Sequence, residues 1–265
     1  MGGKRIDDSE FRQYRREGFL KFDLVEMLGS GAFAGLCAAF ADAEPRALRP
    51  ENSNGPLQRL EGLRFEYQEV DAVVRAPQLG ELAARLAGVE HVRVWVDGPF
   101  IKPPGVYGTG WHQDLPSYPM DRRGLMHIWV AMEDVSIEMG AVRYLSRSHR
   151  LGPLGRGANY DVSRWRGPQT PRPAEGSLEQ LLREDDWDIV GEVACMALRA
   201  GEAIVHDGLL VHGSLANRSD RIRRGWVVAY FPADTQYTGM PRKESDGLGL
   251  EAFKPFDHPR FPIIV

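Results

Sequence analysis

The strongest constraint on this chain is a change of texture at residue 92. From there Val92-Arg93-Val94-Trp95-Val96-Asp97 alternates apolar with polar residues, the period-two pattern of a half-buried strand. Similar strand signals recur at 125–132, 141–145, 193–198, 202–206, 209–212 and 225–231. Most are short, rich in β-branched or aromatic residues, and bounded by turn formers. Such a series predicts an antiparallel barrel or sandwich.

The first third reads differently. Residues 8–48 have helix-like apolar spacing, with Asp8 and Ser9 as cap candidates and with breaks at Gly29 and Gly31. Residues 45–57 are rich in Pro, Asn and Gly and read as a loop. Gln78 to Leu86 predicts a second helix, ended by Gly88. The stretch 152–190 interrupts the strand series with many glycines and prolines, followed by an acidic helix-like piece from Leu178 to Trp187. An insertion of that length is read either as a lid over a site or as a plain surface loop. The expectation is one domain over residues 1–265, with a helical part at 8–90, a β core at 92–231 carrying the insertion, and a tail at 232–265.

Bulk properties narrow the function classes. The chain has 265 residues, a formal net charge of −4 and 26% charged residues, values of an ordinary globular protein. That balance argues against a nucleic-acid partner. The N-terminus lacks the apolar stretch of a signal peptide, and the apolar run near Phe33 to Phe40 is too short for a bilayer. Cys37 and Cys195 stand far apart in sequence, which disfavours a disulfide scaffold or a cysteine-rich zinc site and favours a cytoplasmic location. Oligomeric state is not readable.

The stretch Gly110-Trp111-His112-Gln113-Asp114 carries the chemistry. A His-x-Asp pair on extended backbone places both side chains on one side, as two ligands of one metal require. A histidine from a distant strand completes a two-His-one-carboxylate face, which leaves positions on Fe(II) open to substrate and O2. His212 opens HGSLANRSDRIR and is the preferred third ligand. Its rival is His206 in HDGLLVH, read as a partner of neighbouring groups or a turn cap. Arg223 follows His212 on or near the next strand, where a guanidinium fork suits a carboxylate.

The ordered set WHQD, IWVAMED, GAVRYLSRSHR and HGSxxNxSxxxR resembles the phytanoyl-CoA dioxygenase family of Fe(II)/2-oxoglutarate oxygenases. The resemblance covers roughly residues 92–231, and RREGFL at Arg15 to Leu20 is similar to the family's opening. It implies a mainly β fold with flanking helices, built on a double-stranded β-helix (jelly-roll, cupin-like) core. It implies His112, Asp114 and His212 as iron ligands, Arg223 and Ser214 on the distal carboxylate of 2-oxoglutarate, and Trp129 packed along that co-substrate. Fe(II) is then the cofactor, with 2-oxoglutarate and O2 as co-substrates. The chain departs from the family at Ser146-Arg147-Ser148-His149, where Pro-Gly-Ser-His is common.

The implied activity is hydroxylation of an unactivated C–H bond in a small organic molecule, in natural product biosynthesis or elsewhere in secondary metabolism. The same iron chemistry yields epimerisation, cyclisation or desaturation as an alternative. Halogenation is disfavoured because Asp114 retains the carboxylate. A metal-holding barrel without turnover, acting as a sensor, is the rival from another class; a zinc hydrolase lacks an evident general base.

Four further residues are candidates for substrate contact. Gln113 and Tyr107 lie near the metal motif in sequence. His127 shares a strand face with Trp129, and is read either as a pocket residue or as a core histidine bonded to backbone. Lys102 is read either as a partner for an anion or as a solvated lysine at a strand end. Arg147, Arg150, Arg156, Arg164 and Arg166 form a basic run suited to an anionic substrate or to solvent.

Overall fold

A computed structural model describes residues 5–54, 57–154 and 178–264. Helix α1 (Asp8–Glu17) starts in a capping box, with Asp7 accepting from the Ser9 and Glu10 amides and the Glu10 side chain returning to the Asp7 amide. Gly18 ends it in the left-handed region at φ 86°, where a Cβ would stand 2.5 Å from the His149 ring. That stop redirects the chain into strand β1 (Phe19–Asp23). The expected helical span over 8–48 is therefore interrupted by a strand. Leu20 and Phe22 face one way and Phe19 the other, a period-two pattern hidden inside an otherwise helix-like sequence.

Helices α2 (Leu24–Leu28) and α3 (Ser30–Ala47) follow. The latter runs through Pro45 into the expected loop. Short strands β2 (Ser53–Asn54) and β3 (Leu57–Arg59) lead to helices α4 (Gln68–Val74) and α5 (Pro77–Ala87), the last closed by Gly88 as expected.

The β core contains β4 (Val92–Lys102), β5 (Thr109–His112), β6 (Met126–Ala131), β7 (Val142–Leu145), β8 (Val193–Cys195), β9 (Glu202–Asp207), β10 (His212–Ser214), β11 (Arg223–Pro232) and β12 (Ile263–Ile264). A short helix α6 (Leu178–Leu181) precedes β8. The larger sheet has the order β1-β9-β6-β11-β4-β3-β2, with β12 on β4; the smaller has the order β5-β10-β7-β8. All named pairings are antiparallel. The architecture is the antiparallel, helix-flanked double-stranded β-helix expected from the resemblance.

Alternation along the strands divides the interior. Ile128 and Val130 of β6, with Trp226, Val228 and Tyr230 of β11, pack against the helices. Their neighbours Trp129, Ala131 and Val227 face the smaller sheet, meeting Tyr144 and Leu210. The chain after β11 is equally anchored. Phe261 stacks on Trp95 at 5.0 Å, and Phe256 meets Trp95 edge-on at 5.8 Å. That cluster closes one end of the core. Of the expected 152–190 insertion, residues 155–177 lie outside the described residues, including Arg156, Arg164 and Arg166. The part from Leu178 onward packs Leu181, Leu182 and Val190 onto Leu145 of β7 and onto Val211, just before β10.

Candidate metal centre

The two sheets each bring a pair of histidines to one point. In the smaller sheet β5 and β10 place His112 directly opposite His212. Their rings lie 4.3 Å apart. Asp114 follows after the chain has turned. Its backbone is helical (φ −84°, ψ −52°) and begins a 3-10 turn, Leu115–Ser117, so the His-x-Asp segment is not extended throughout. The amides of Asp114 and Leu115 both donate to the Gly208 carbonyl, at 2.9 and 2.8 Å, which ties this turn to the β9–β10 loop. The turn still delivers the carboxylate. Asp114 Oδ1 lies 3.6 Å from His112 Nε2, and Oδ2 lies 3.5 Å from His212 Nε2.

A second donor set shares the same carboxylate. In the larger sheet His127 of β6 pairs directly with His206 of β9. His206 Nε2 stands 3.4 Å from Asp114 Oδ2, and His127 Nδ1 stands 3.1 Å from the same oxygen. Both {His112, Asp114, His212} and {Asp114, His127, His206} are compact enough for one metal ion.

The remaining ring nitrogens separate the two sets. His112 Nδ1 lies 2.9 Å from the Gly110 carbonyl, and His212 Nδ1 lies 2.9 Å from the Leu210 carbonyl. A carbonyl can only accept, so each Nδ1 carries the proton and each Nε2 presents a lone pair to the shared point. Metal-bound histidines are normally held this way. Burial acts in the same direction on His212, pushing its pKa down to about 4, against the pull of Asp114. In the other set, His127 Nε2 is engaged by the Tyr118 hydroxyl at 3.0 Å, and His206 Nδ1 is buried without a hydrogen-bond partner. The donor types, the spacing and the fixed tautomers of the first set fit a ferrous ion. Burial raises the Asp114 carboxyl, but its imidazole neighbours, His127 foremost with His206 donating to it, outweigh that and hold its pKa well below the usual range.

On β4 and β11 of the larger sheet lies a buried pair of basic side chains. Lys102, at the end of β4, pairs directly with Arg223, at the start of β11. Both are essentially fully buried, at 0% and 1% exposure. The solvated-lysine alternative is thereby overturned. Lys102 Nζ donates to Ser214 Oγ and to the Leu215 carbonyl, both at 2.7 Å. Desolvation, together with the charges of Arg223 and Arg143, pushes its pKa down to about 6. Arg223 donates to the Gly140 carbonyl, its Nε is buried with no hydrogen-bond partner, and its guanidinium lies 5.5 Å from the Trp129 ring. Burial lowers its pKa to about 10, so it remains charged. Among the described residues, no carboxylate forms an ion pair with either side chain. A buried guanidinium with no anion, beside an amine that burial keeps from charging, is costly, and an incoming carboxylate would relieve that cost.

Trp129 is held by an absence opposite it. Gly225 of β11 faces its indole, and a Cβ there would stand 2.3 Å from Cζ2. Ser214 serves mainly as a hub, accepting from Lys102 and from the Thr109 amide at 3.2 Å.

The other candidates are placed as follows. Gln113 is fully buried, with Nε2 donating to the Leu209 and Gly152 carbonyls at 2.6 and 2.9 Å, and Oε1 accepting from the Leu154 amide at 2.9 Å. Its amide is committed to pinning backbone together. Tyr107 is 46% exposed in the β4–β5 loop. His127 sits in the cluster and is bonded to a tyrosine, not to backbone. Three participants went unnamed or undervalued in sequence. Arg143 lies across from the metal motif, 4.2 Å from the Trp111 ring, and Tyr118 partners His127. His206 is not a turn cap. Its register with His127 was the missing signal, and that register spans two strands far apart in the chain.

Comparison with known proteins agrees with this geometry. The family model described as Phytanoyl-CoA dioxygenase (PhyH) matches residues 14–225. Among curated proteins, a probable alpha-ketoglutarate-dependent hypophosphite dioxygenase of Stutzerimonas stutzeri is 26% identical over 191 residues, covering 69% of this chain and 62% of that protein. Phytanoyl-CoA dioxygenase domain-containing protein 1 of Danio rerio is 32% identical over 155 residues, covering 57% of this chain and 48% of that protein. The matches thus span between about half and under two thirds of these relatives' lengths. Among solved structures, the non-heme alpha ketoglutarate dependent carbocyclase SnoK from nogalamycin biosynthesis superposes with a TM-score of 0.75 at 21% identity, covering 100% of both chains. The epimerase SnoN of the same pathway, in complex with Fe3+, alpha ketoglutarate and nogalamycin RO, gives 0.76 at 20% identity, covering 97% of both chains. These two share the fold. Among the described residues, no helix is long and apolar enough to cross a membrane.

Proposed function

The chain belongs to the phytanoyl-CoA dioxygenase family of Fe(II)/2-oxoglutarate-dependent oxygenases, and from that premise we propose that it hydroxylates an unactivated C–H bond of a small organic molecule. The observation that carries the reading is the polarity of the site. A two-His-one-carboxylate donor face lies at one end, and a buried guanidinium and amine lacking a carboxylate lie at the other. A keto diacid such as 2-oxoglutarate has the matching ends.

His112, Asp114 and His212 hold the ferrous ion in this reading. Arg223 and Lys102 take the distal carboxylate, and Trp129 and Ser214 fix those two side chains in place. When bound, the iron with 2-oxoglutarate and O2 supplies the oxidising power for the C–H bond, while the protein's part is geometry and a dry site. The backbone-tethered imidazoles keep their lone pairs aimed without reorganisation. The buried sheet interior around Tyr144, Trp129 and Leu210 keeps water from the basic pair. Asp114 occupies a ligand position that a halide would otherwise need.

A second outcome of the same chemistry is supported by the neighbours SnoK and SnoN, whose names specify a carbocyclase and an epimerase. They also support a place in natural product biosynthesis. Reaction under labelled O2 with a panel of small polycyclic and glycosylated compounds separates the outcomes. Labelled oxygen in a product alcohol marks hydroxylation, whereas succinate formed with an unlabelled, isomerised or cyclised product marks the alternative. No succinate above the background without protein, with any compound of the panel, would count against oxygenase activity and favour a binding role.

A further inference from the structure

We infer that His206 and His127 are positioning residues for Asp114. They hold its Oδ2, so that the carboxylate meets the metal through Oδ1 alone. This rests on the assignment of His112, Asp114 and His212 as the metal ligands.

Several observations converge on this point. His127 and His206 are direct cross-strand neighbours on the face of the larger sheet that looks toward the smaller one, with rings stacked 5.5 Å apart. Their flanking positions on that face, Trp129 and Ile204, belong to the apolar core. Two imidazoles buried there cost desolvation that two apolar side chains would avoid. What they receive in return is a single carboxylate oxygen. His206 Nε2 forms a long hydrogen bond to Oδ2 at 3.4 Å. The His127 Nδ1 atom is closer, at 3.1 Å, but off the hydrogen-bond line. Tyr118 holds the far side of the His127 ring at 3.0 Å. Oδ1 lies 3.6 Å from His112 Nε2 and Oδ2 lies 3.5 Å from His212 Nε2, so both oxygens are near the donor face and Oδ2 alone also carries the outer imidazoles.

Asp114 needs such help because its backbone has already left the strand. His112 and His212 are fixed by sheet register and by their own carbonyl tethers. The Asp114 side chain springs from a 3-10 turn, where torsion alone lets either oxygen, or both, reach a metal. Binding through both oxygens would fill a coordination position that 2-oxoglutarate or O2 requires. An outer imidazole on Oδ2 opposes that rotation, as partners of ligating groups do in other metal sites.

The test uses the full chain with Co(II) as a spectroscopic stand-in, without turnover. Co(II) absorption and affinity are measured for the wild type, His206→Ala, His206→Gln, His127→Ala and Tyr118→Phe. His206→Ala is expected to weaken Co(II) binding roughly 10–100-fold. Its visible absorption should fall in intensity as the coordination number rises. His206→Gln keeps an N–H donor and should restore much of both. Tyr118→Phe deletes one hydroxyl at a partly buried residue and should shift the spectrum in the same direction by less. That variant keeps the question answerable if the histidine replacements fail to fold.

Wild-type absorption and affinity retained in His206→Ala, or in Tyr118→Phe where His206→Ala does not fold, would overturn the inference. So would loss of Co(II) binding in His206→Ala and His127→Ala with binding kept in His112→Ala, since the histidines would then be ligands themselves. A wild type that binds no Co(II) would instead sink the metal assignment beneath it.

Discussion

Replacing Lys102 with methionine probes the buried basic pair through its pH dependence. Lys102 is fully buried beside Arg223, and its pKa is pushed down to about 6. In the free protein at pH 8 only about one lysine in a hundred carries a proton, two units above that value. A distal carboxylate arriving at Lys102 and Arg223 favours the charged lysine and pulls a proton onto it. Binding of 2-oxoglutarate should therefore take up about half to one proton near pH 7, and about half a proton or less at pH 8. Its affinity should be highest below about pH 6 and fall about tenfold per pH unit above it, until the pKa of the complex is reached.

The sign is that of a cation whose pKa is low in the free state and raised in the complex. A charge-assisted hydrogen bond contributes about 1.5–3 kcal/mol, and recharging the lysine at pH 8 costs about 3 kcal/mol. The two nearly cancel at pH 8. Lys102→Met should thus weaken 2-oxoglutarate binding by roughly 10–100-fold near pH 6 and by little at pH 8. Calorimetry in buffers of differing ionisation enthalpy, with a redox-inert divalent metal in place, measures both affinity and proton uptake. Zero proton uptake by the wild type near pH 7, or a Lys102→Met defect that grows with pH, would refute the reasoning.

Three other substitutions test separate parts of the site. Arg223→Ala removes a buried guanidinium and should raise the 2-oxoglutarate requirement by roughly 10–100-fold, with metal affinity retained; an unchanged requirement would move the role to another cation. Gly225→Ala would bring a Cβ within 2.3 Å of Trp129 Cζ2 and should cost about 1–3 kcal/mol in denaturant stability while weakening 2-oxoglutarate binding. Unaltered stability and binding would show that the indole has room to move. Gln113→Leu strips partners from the Leu209 and Gly152 carbonyls and the Leu154 amide, so a stability loss of about 2–3 kcal/mol is expected with metal affinity close to wild type. A collapse of metal affinity at full stability would instead give Gln113 a role at the centre.

Much of this arrangement was legible in the chain because it is written in short-range patterns. Alternation exposed most core strands, and the HxD and HGS segments named the residues that β5 and β10 bring face to face. What stayed hidden depends on pairing across long separations. Strand β1 looked helical because only its register with β9, Phe19 opposite His206, makes a strand of five residues after Gly18 worthwhile. Lys102 was ambiguous because a lysine at a strand end is usually solvated, and only its position opposite Arg223 buries it. His127 and His206 gained their meaning only as a cross-strand pair facing one carboxylate. The turn at Asp114 was missed because two backbone bonds to Gly208, from a loop far along the chain, impose it.

The most direct test is anaerobic titration of Fe(II) into metal-free protein with saturating 2-oxoglutarate, following the visible charge-transfer absorption of the chelated keto acid. The wild type should develop that band to an end point at one iron per chain, and His112→Ala, Asp114→Ala and His212→Ala should each abolish it or shift its half-saturation to far higher iron. A wild type with no band, or a band of full strength that persists at one equivalent in His212→Ala while His206→Ala loses it, would contradict the assignment.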